Sequence, residues 1–168
     1  MLAWIRGGER GAADLLLWDL ASRLRALGWP LAGAVQQNVE LQTSPRCEMR
    51  LHVLAGPQVI CISQQLGPLS QGCRLDTVGL ERAVGLAEAA LDAAPRLLIV
   101  NKFGRQEADG RGFRPLIGRA LTIGVPVLTA VSEKHFERFG QFADGMAKAL
   151  PPEMGALLDW CFEHCAPA

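Results

Sequence analysis

RLLIVNKFGRQEADGR, residues Arg96–Arg111, is the stretch that decides how the rest of the chain is read. Four apolar residues, Leu97 to Val100, run directly into Asn101, Lys102, Gly104, Arg105 and Glu107. A short unbroken apolar run closed by polar residues and glycine is the pattern of a strand buried on both faces. In open α/β sheets, ligands gather beyond the carboxyl ends of such strands. The segment is therefore expected to be a central strand that delivers a polar, net basic loop to a site.

Working outward, strands and helices alternate. Leu2–Ile5 is a short apolar run, followed by the glycine-rich turn Arg6–Gly11. Leu16, Leu20, Leu24 and Leu27 then recur at helical spacing, which predicts a helix over Ala12–Leu27. Leu31–Val35 reads as the next strand, delivering Gln36, Gln37 and Asn38. Between Cys47 and Gln65 the period falls to two, with Met49, Leu51 and Val53 alternating with Glu48, Arg50 and His52. That stretch, with Gly56-Pro57 as a turn and Val59–Ile62 as its return, predicts an antiparallel hairpin ending at Ser63, Gln64 and Gln65. Asp76 or Thr77 can cap a helix whose stripe is Leu80, Val84, Ala87 and Leu91. Beyond the central strand, Phe113–Ile123 predicts a helix and Val125–Val131 a strand. Ser132 to about Ala149 predicts a helix carrying Arg138 far from the site, and Glu153–Cys165 a last one. The fold class expected is α/β, a three-layer and mainly parallel sheet with helices on both faces plus one hairpin, in a single domain over 1–168.

Composition bounds the function. The chain has 168 residues, 49% hydrophobic and 20% charged, with 17 basic against 17 acidic side chains. That balance argues against general binding to nucleic acid or to anionic membranes. No apolar run approaches the roughly 18 residues of a membrane span. MLAWIRGG lacks the charged start and the length of a signal peptide, so the expected location is the cytoplasm. Five cysteines and no secretory signal favour free thiols. Cys161, His164 and Cys165 invite a metal reading. A terminal helix with its thiols in the core is the competing one, favoured because no second Cys/His pair has zinc spacing.

The first turn compares with the phosphate-cradling loop G-x-x-x-x-G-K-[ST] between a strand and a helix. Gly7 takes the first glycine position, and Ala12, Ala13 and Asp14 fall at the last three. This strand–loop–helix, with LLIVNKFGRQE, resembles the small nucleoside-triphosphatase family of P-loop proteins. In that family the central strand ends in Asp-Glu, then an apolar residue, Gly, a basic residue, any residue and Glu. Here Asn101 and Lys102 replace the acidic pair, while Gly104, Arg105 and Glu107 match. NKFGRQEADGRG (Asn101–Gly112), SQQLGPLSQGCRLD (Ser63–Asp76) and GVPVLTAV (Gly124–Val131) resemble, more closely, an uncharacterised bacterial family of degenerate P-loop proteins. Its genes often lie beside molybdenum-transport or nitrogenase genes. The resemblance implies a P-loop NTPase-like fold and a molybdenum-related setting.

The departures weigh more than the matches. The lysine that would meet the phosphates is Ala13, the magnesium hydroxyl is Asp14, and the metal-holding carboxylate is Asn101. Phosphoryl transfer rests on positioning and on cations that stabilise developing charge, so active hydrolysis is not expected. The guanine-reading pattern Asn-Lys-x-Asp fails at Gly104. What remains suits an anion. Gly7, Gly8, Arg10 and Gly11 lead into a helix N-terminus, where backbone amides favour negative charge. Around it are expected Asp14, Gln36, Asn38, Ser63, Gln64, Arg74, Asn101, Lys102, Arg105 and Glu107. Many neutral donors with a few cations suit an oxyanion or phosphate ester, with molybdate first and a nucleotide second. The opposing account has Asp14 pair with Lys102 and fill a defunct pocket. Three classes stay open: an oxyanion binder with partners in molybdenum transport or cofactor handling, a rearranged nucleotide hydrolase, and a protein–protein adaptor. Cys73, near the expected site, could be a soft metal ligand or merely a small residue.

Overall fold

The computed structural model describes residues 1–8, 11–41, 44–64 and 75–165. In chain order the elements are β1 (Leu2–Arg6), α1 (Ala12–Ala26), β2 (Leu31–Leu41), β3 (Ser44–Val53), β4 (Val59–Cys61) and α2 (Thr77–Leu91). There follow β5 (Leu97–Phe103), α3 (Arg105–Ala108), α4 (Arg114–Thr122), β6 (Val127–Val131), a 3-10 turn at Glu133–His135, α5 (Phe136–Ala143), β7 (Ala147–Leu150) and α6 (Met154–His164). The strands form one sheet in the order β4-β3-β2-β5-β6-β1-β7. β2, β5, β6, β1 and β7 are parallel, and β3 and β4 add the antiparallel hairpin. This is the α/β, mainly parallel class that the alternation predicts, and it is consistent with the P-loop NTPase-like fold that the resemblance implies, with β5 central.

Two apolar layers hold it. On one face Leu17, Leu20 and Leu24 of α1 and Leu157 and Trp160 of α6 pack on Ile5, Leu97, Ile99 and Leu128. On the other, Leu80, Ala83 and Ala87 of α2, Ile117 of α4 and Phe139 of α5 pack on Leu98, Val100, Val127 and Val131. Each fully buried Leu, Ile or Val contributes roughly 1.5–3 kcal/mol, so the strands are pinned between helices by their apolar alternation. Asp76 caps α2, its Oδ1 accepting from the Val78 amide at 3.0 Å.

Three expectations are corrected. β2 does not stop at Val35 but runs to Leu41, because its polar half pairs antiparallel with β3 after its apolar half has paired with β5. Gly33 makes that change of partner feasible. Its φ is +97°, and a Cβ there would stand 1.9 Å from the Ile99 carbonyl oxygen. Second, the helix expected to reach Ala149 ends at Ala143. Asp144 and Gly145 take positive φ of 45° and 75°, and the chain returns as edge strand β7 beside β1. Third, Arg138 is not remote. Its Nη1 lies 3.5 Å from Asp109 Oδ1, in the loop that follows the central strand.

Candidate functional site

β1 and β6 are neighbours whose crossovers leave in opposite directions: β1 leads through α1 to β2, and β6 through α5 to β7. Ligands of open α/β sheets lie at such a switch, outside the carboxyl ends of the strands. The Gly7 amide extends the β1–β6 ladder by one bond, to the Val131 carbonyl at 2.8 Å. Gly11, with φ +86°, then turns the chain into α1. Gly8 has open space around it.

Beside that turn the end of β5 is irregular. Val100 pairs with Thr129 and Phe103 with Val131, so β5 carries one residue too many, and the excess falls at Asn101–Lys102. The Thr129 hydroxyl donates to the Val100 carbonyl at 2.8 Å, where the ladder breaks. Lys102 Nζ reaches Asp14 Oδ1 in the first turn of α1 at 3.3 Å. Asp14 Oδ2 accepts from Asn38 Nδ2 at 2.8 Å, and Asn38 Oδ1 accepts from Gln36 Nε2 at 2.8 Å. Gln36, Asn38, Asp14 and Lys102 therefore form one continuous polar chain from β2 across α1 to β5.

The charges in that chain cancel. A helix N-terminus favours an anion, and α1 holds one of its own: the Asp14 carboxylate, 4% exposed, neutralised by a lysine whose side chain is 40% exposed. The pairing of Asp14 with Lys102 weighed from sequence is present. The neighbouring Asn101 is different. It is 2% exposed, and among the described residues neither Oδ1 nor Nδ2 has a hydrogen-bond partner. Leaving a buried polar group unsatisfied costs about 1–3 kcal/mol. Such groups cluster where function demands them.

The remaining expected residues lie elsewhere. The Ser63 hydroxyl accepts from the Met49 amide at 3.1 Å, and Gln64 Nε2 donates to the Leu75 carbonyl at 3.4 Å; both tie the hairpin to the approach of α2. Glu107 turns inward. Its carboxylate accepts from the Gly104 amide at 2.9 Å and the Phe113 amide at 3.0 Å. Burial raises its pKa, and those backbone bonds oppose the rise. Gly112, with φ +57°, leaves the room: a Cβ there would lie 2.3 Å from Glu107 Oε1. Arg105 points to Asp109, 3.9 Å away. Arg10, Gln65, Ser70, Gln71, Cys73 and Arg74 lie outside the described residues. Among the described residues no three His, Cys, Asp or Glu side chains are placed to hold a metal. Cys161 and Cys165 are buried, and the hydrogen bond between them, ahead of burial, drives the Cys161 thiol pKa strongly upward. Sequence reasoning missed Thr129 and Asp109. The first is signalled by a lone hydroxyl inside VLTAV. The second has no signal short of three-dimensional structure.

A family described as protein of unknown function (DUF2478) matches residues 2–160. The chain belongs to that family. A molybdenum import ATP-binding protein, ModC 2 of Bradyrhizobium diazoefficiens, is 36% identical over 147 residues. The match takes in 88% of this chain but only 16% of that relative's length. No solved structure matches. No helix among the described residues is long and apolar enough to cross a membrane.

Proposed function

We propose that the chain is a non-hydrolysing oxyanion-binding module of molybdenum handling, cytoplasmic, with molybdate as its leading ligand. The observation that carries this reading is the buried, unpartnered amide of Asn101 beside Lys102, at the carboxyl end of the central strand. A ligand that accepts from Nδ2 relieves a group the protein itself leaves unsatisfied. Lys102, its side chain 40% exposed, can exchange the Asp14 carboxylate for a ligand oxygen, at the cost of leaving the buried Asp14 charge without its cation. Asp14 keeps Asn38 as a donor while it does so. Asp14 is thus an internal competitor for Lys102. The name of the relative, a molybdenum import protein, supports the choice of oxyanion, and it makes proteins of molybdenum transport the expected partners. Ala13 and Asn101 stand where hydrolysis needs a lysine and a carboxylate, so steady magnesium-dependent phosphate release by the pure protein is not expected.

Calorimetric titration with molybdate, sulfate, phosphate and ATP tests the proposal. Charge-assisted hydrogen bonds contribute roughly 1.5–3 kcal/mol, and 1.4 kcal/mol is about tenfold in affinity. Lys102→Ala should weaken molybdate binding about tenfold, and Asp14→Asn should tighten it by about the same factor. Asn101→Leu should abolish binding while stabilising the unliganded protein by about 1 kcal/mol, because an orphaned amide gives way to an apolar side chain of similar size. Binding of none of the four anions, or changes of the same sign in the Asp14 and Lys102 variants, would sink the proposal.

A further inference from the structure

Two groups of ion pairs flank the α3–α4 region, and their stoichiometries are opposite. On α4, the single guanidinium of Arg119 meets two carboxylates, Glu88 at 3.2 Å and Asp92 at 2.6 Å. At the end of α3, the single carboxylate of Asp109 meets three guanidinium groups. Arg105 and Arg111 stand 3.9 Å from Oδ2, and Arg138 stands 3.5 Å from Oδ1. The three side chains are 73%, 67% and 60% exposed. A chain with equal numbers of acidic and basic residues thus gathers a local excess of positive charge on one small surface.

One member of the cluster is also tied to the backbone beneath it. Arg138 Nη1 donates to the Ala108 carbonyl at 3.3 Å. Arg114 donates to the carbonyls of Glu107 and Ala108 at 3.4 Å and lies over the Phe142 ring at 4.9 Å. Asp109 gathers three forks while satisfying few of their donors; each guanidinium carries five. Free, pre-positioned forks match carboxylate geometry and form bidentate pairs. Arg111 also lines a cleft of about 620 Å³ with Thr77, Val78, Gln106 and Pro115. Glu81, in the same cleft, has its Oε1 on the Gly112 amide at 3.3 Å.

We propose that the Arg105–Arg111–Arg138 rim is a docking surface for an acidic segment of a partner protein, its carboxylates bridging the forks that Asp109 gathers. The choice of a protein segment rests on the rim's size and chemistry: three forks around one point suit a few carboxylates rather than a nucleic-acid track. In the longer molybdenum import relative, most of the polypeptide lies outside the matched part, so this module has protein neighbours there.

The test is an amide chemical-shift titration of the whole chain with a hexaglutamate peptide, run without any oxyanion. Saturable shifts should fall on residues 104–114 and 134–138 and weaken as salt is raised. Charge reversal at two exposed positions, Arg111→Glu with Arg138→Glu, should reduce affinity about tenfold or more, whereas Arg119→Glu should not. Amide spectra of both variants that keep the wild-type peak positions away from the substituted residues establish that folding is intact. The proposal fails if the shifts scatter, if Arg119→Glu weakens binding equally, or if a 12-base-pair DNA duplex binds the same residues more tightly than the peptide.

Discussion

Asp14 and Glu107 are both acids, 4% and 3% exposed, and both lie near the carboxyl end of the sheet, yet they are kept in opposite ways. The Glu107 carboxylate accepts two backbone amides and, among the described residues, pairs with no cation. Asp14 has a lysine, a side-chain amide and no backbone donor of its own among the described residues. Backbone amides cannot move without unfolding the loop, but a half-exposed lysine can. The comparison assigns Glu107 to the scaffold that shapes the loop from Gly104 to Phe113, and Asp14 to a set of groups free to exchange partners.

The comparison breaks first at Glu107→Ala. Removing that carboxylate orphans the Gly104 and Phe113 amides, each a loss of about 1–3 kcal/mol. We expect about 3 kcal/mol of destabilisation by urea unfolding, and a melting temperature lower by roughly 6–12 °C for a chain of this size. A change below 1 kcal/mol would place Glu107 outside the scaffold.

A smaller effect is expected at the other acid. Lys102→Ala leaves Asp14 with one donor, but water reaches the lysine, so the loss should be about 1–2 kcal/mol, between the values for exposed and buried pairs. Adding Asp14→Asn should restore most of it. A double-variant loss equal to the sum of the Lys102→Ala and Asp14→Asn losses would mean that the pair contributes nothing.

The smallest effect is a difference in slope with pH. The Glu107 pKa is raised in the folded state by burial. A raised carboxyl pKa contributes stability that is complete below the unfolded value and is lost as pH rises through the folded value. Stability measured from pH 4 to 7 should therefore fall with pH more steeply in the wild type than in Glu107→Gln, which does not titrate. Parallel curves would refute the raised pKa.

Much of this fold is legible in the chain because β1, β2, β5 and β6 each hold an apolar run and α1, α2 and α4 each carry an apolar stripe at helical spacing. What misled were segments whose partners decide their state. The helix expected from Ser132 is present over Phe136–Ala143, but nothing local separates Ala147–Leu150 from its continuation; only the edge of β1 makes it a strand. Gln36 and Asn38 read as a loop because polar residues beyond a sheet's apolar centre look like one. At the site, the Asp14–Lys102 pair was foreseeable from the P-loop comparison, as the two replaced positions face each other. Asn101's isolation was not, since hydrogen-bond satisfaction is a property of surroundings. Nor was the Asp109 cluster, whose members come from α3, the following loop and α5.

The position of β1 has a consequence in time. Leu2 pairs with Val127 on one side and with Ala147 on the other, so the first strand of this sheet to be made has only late partners. At about 5–20 residues per second, a ribosome needs roughly ten seconds to supply the first of them. Until then Ala3 and Ile5, wholly buried in the finished sheet, have only α1 to cover them. Such long-range closure slows folding. It also makes the nascent chain a client for whatever holds unpaired strands during synthesis.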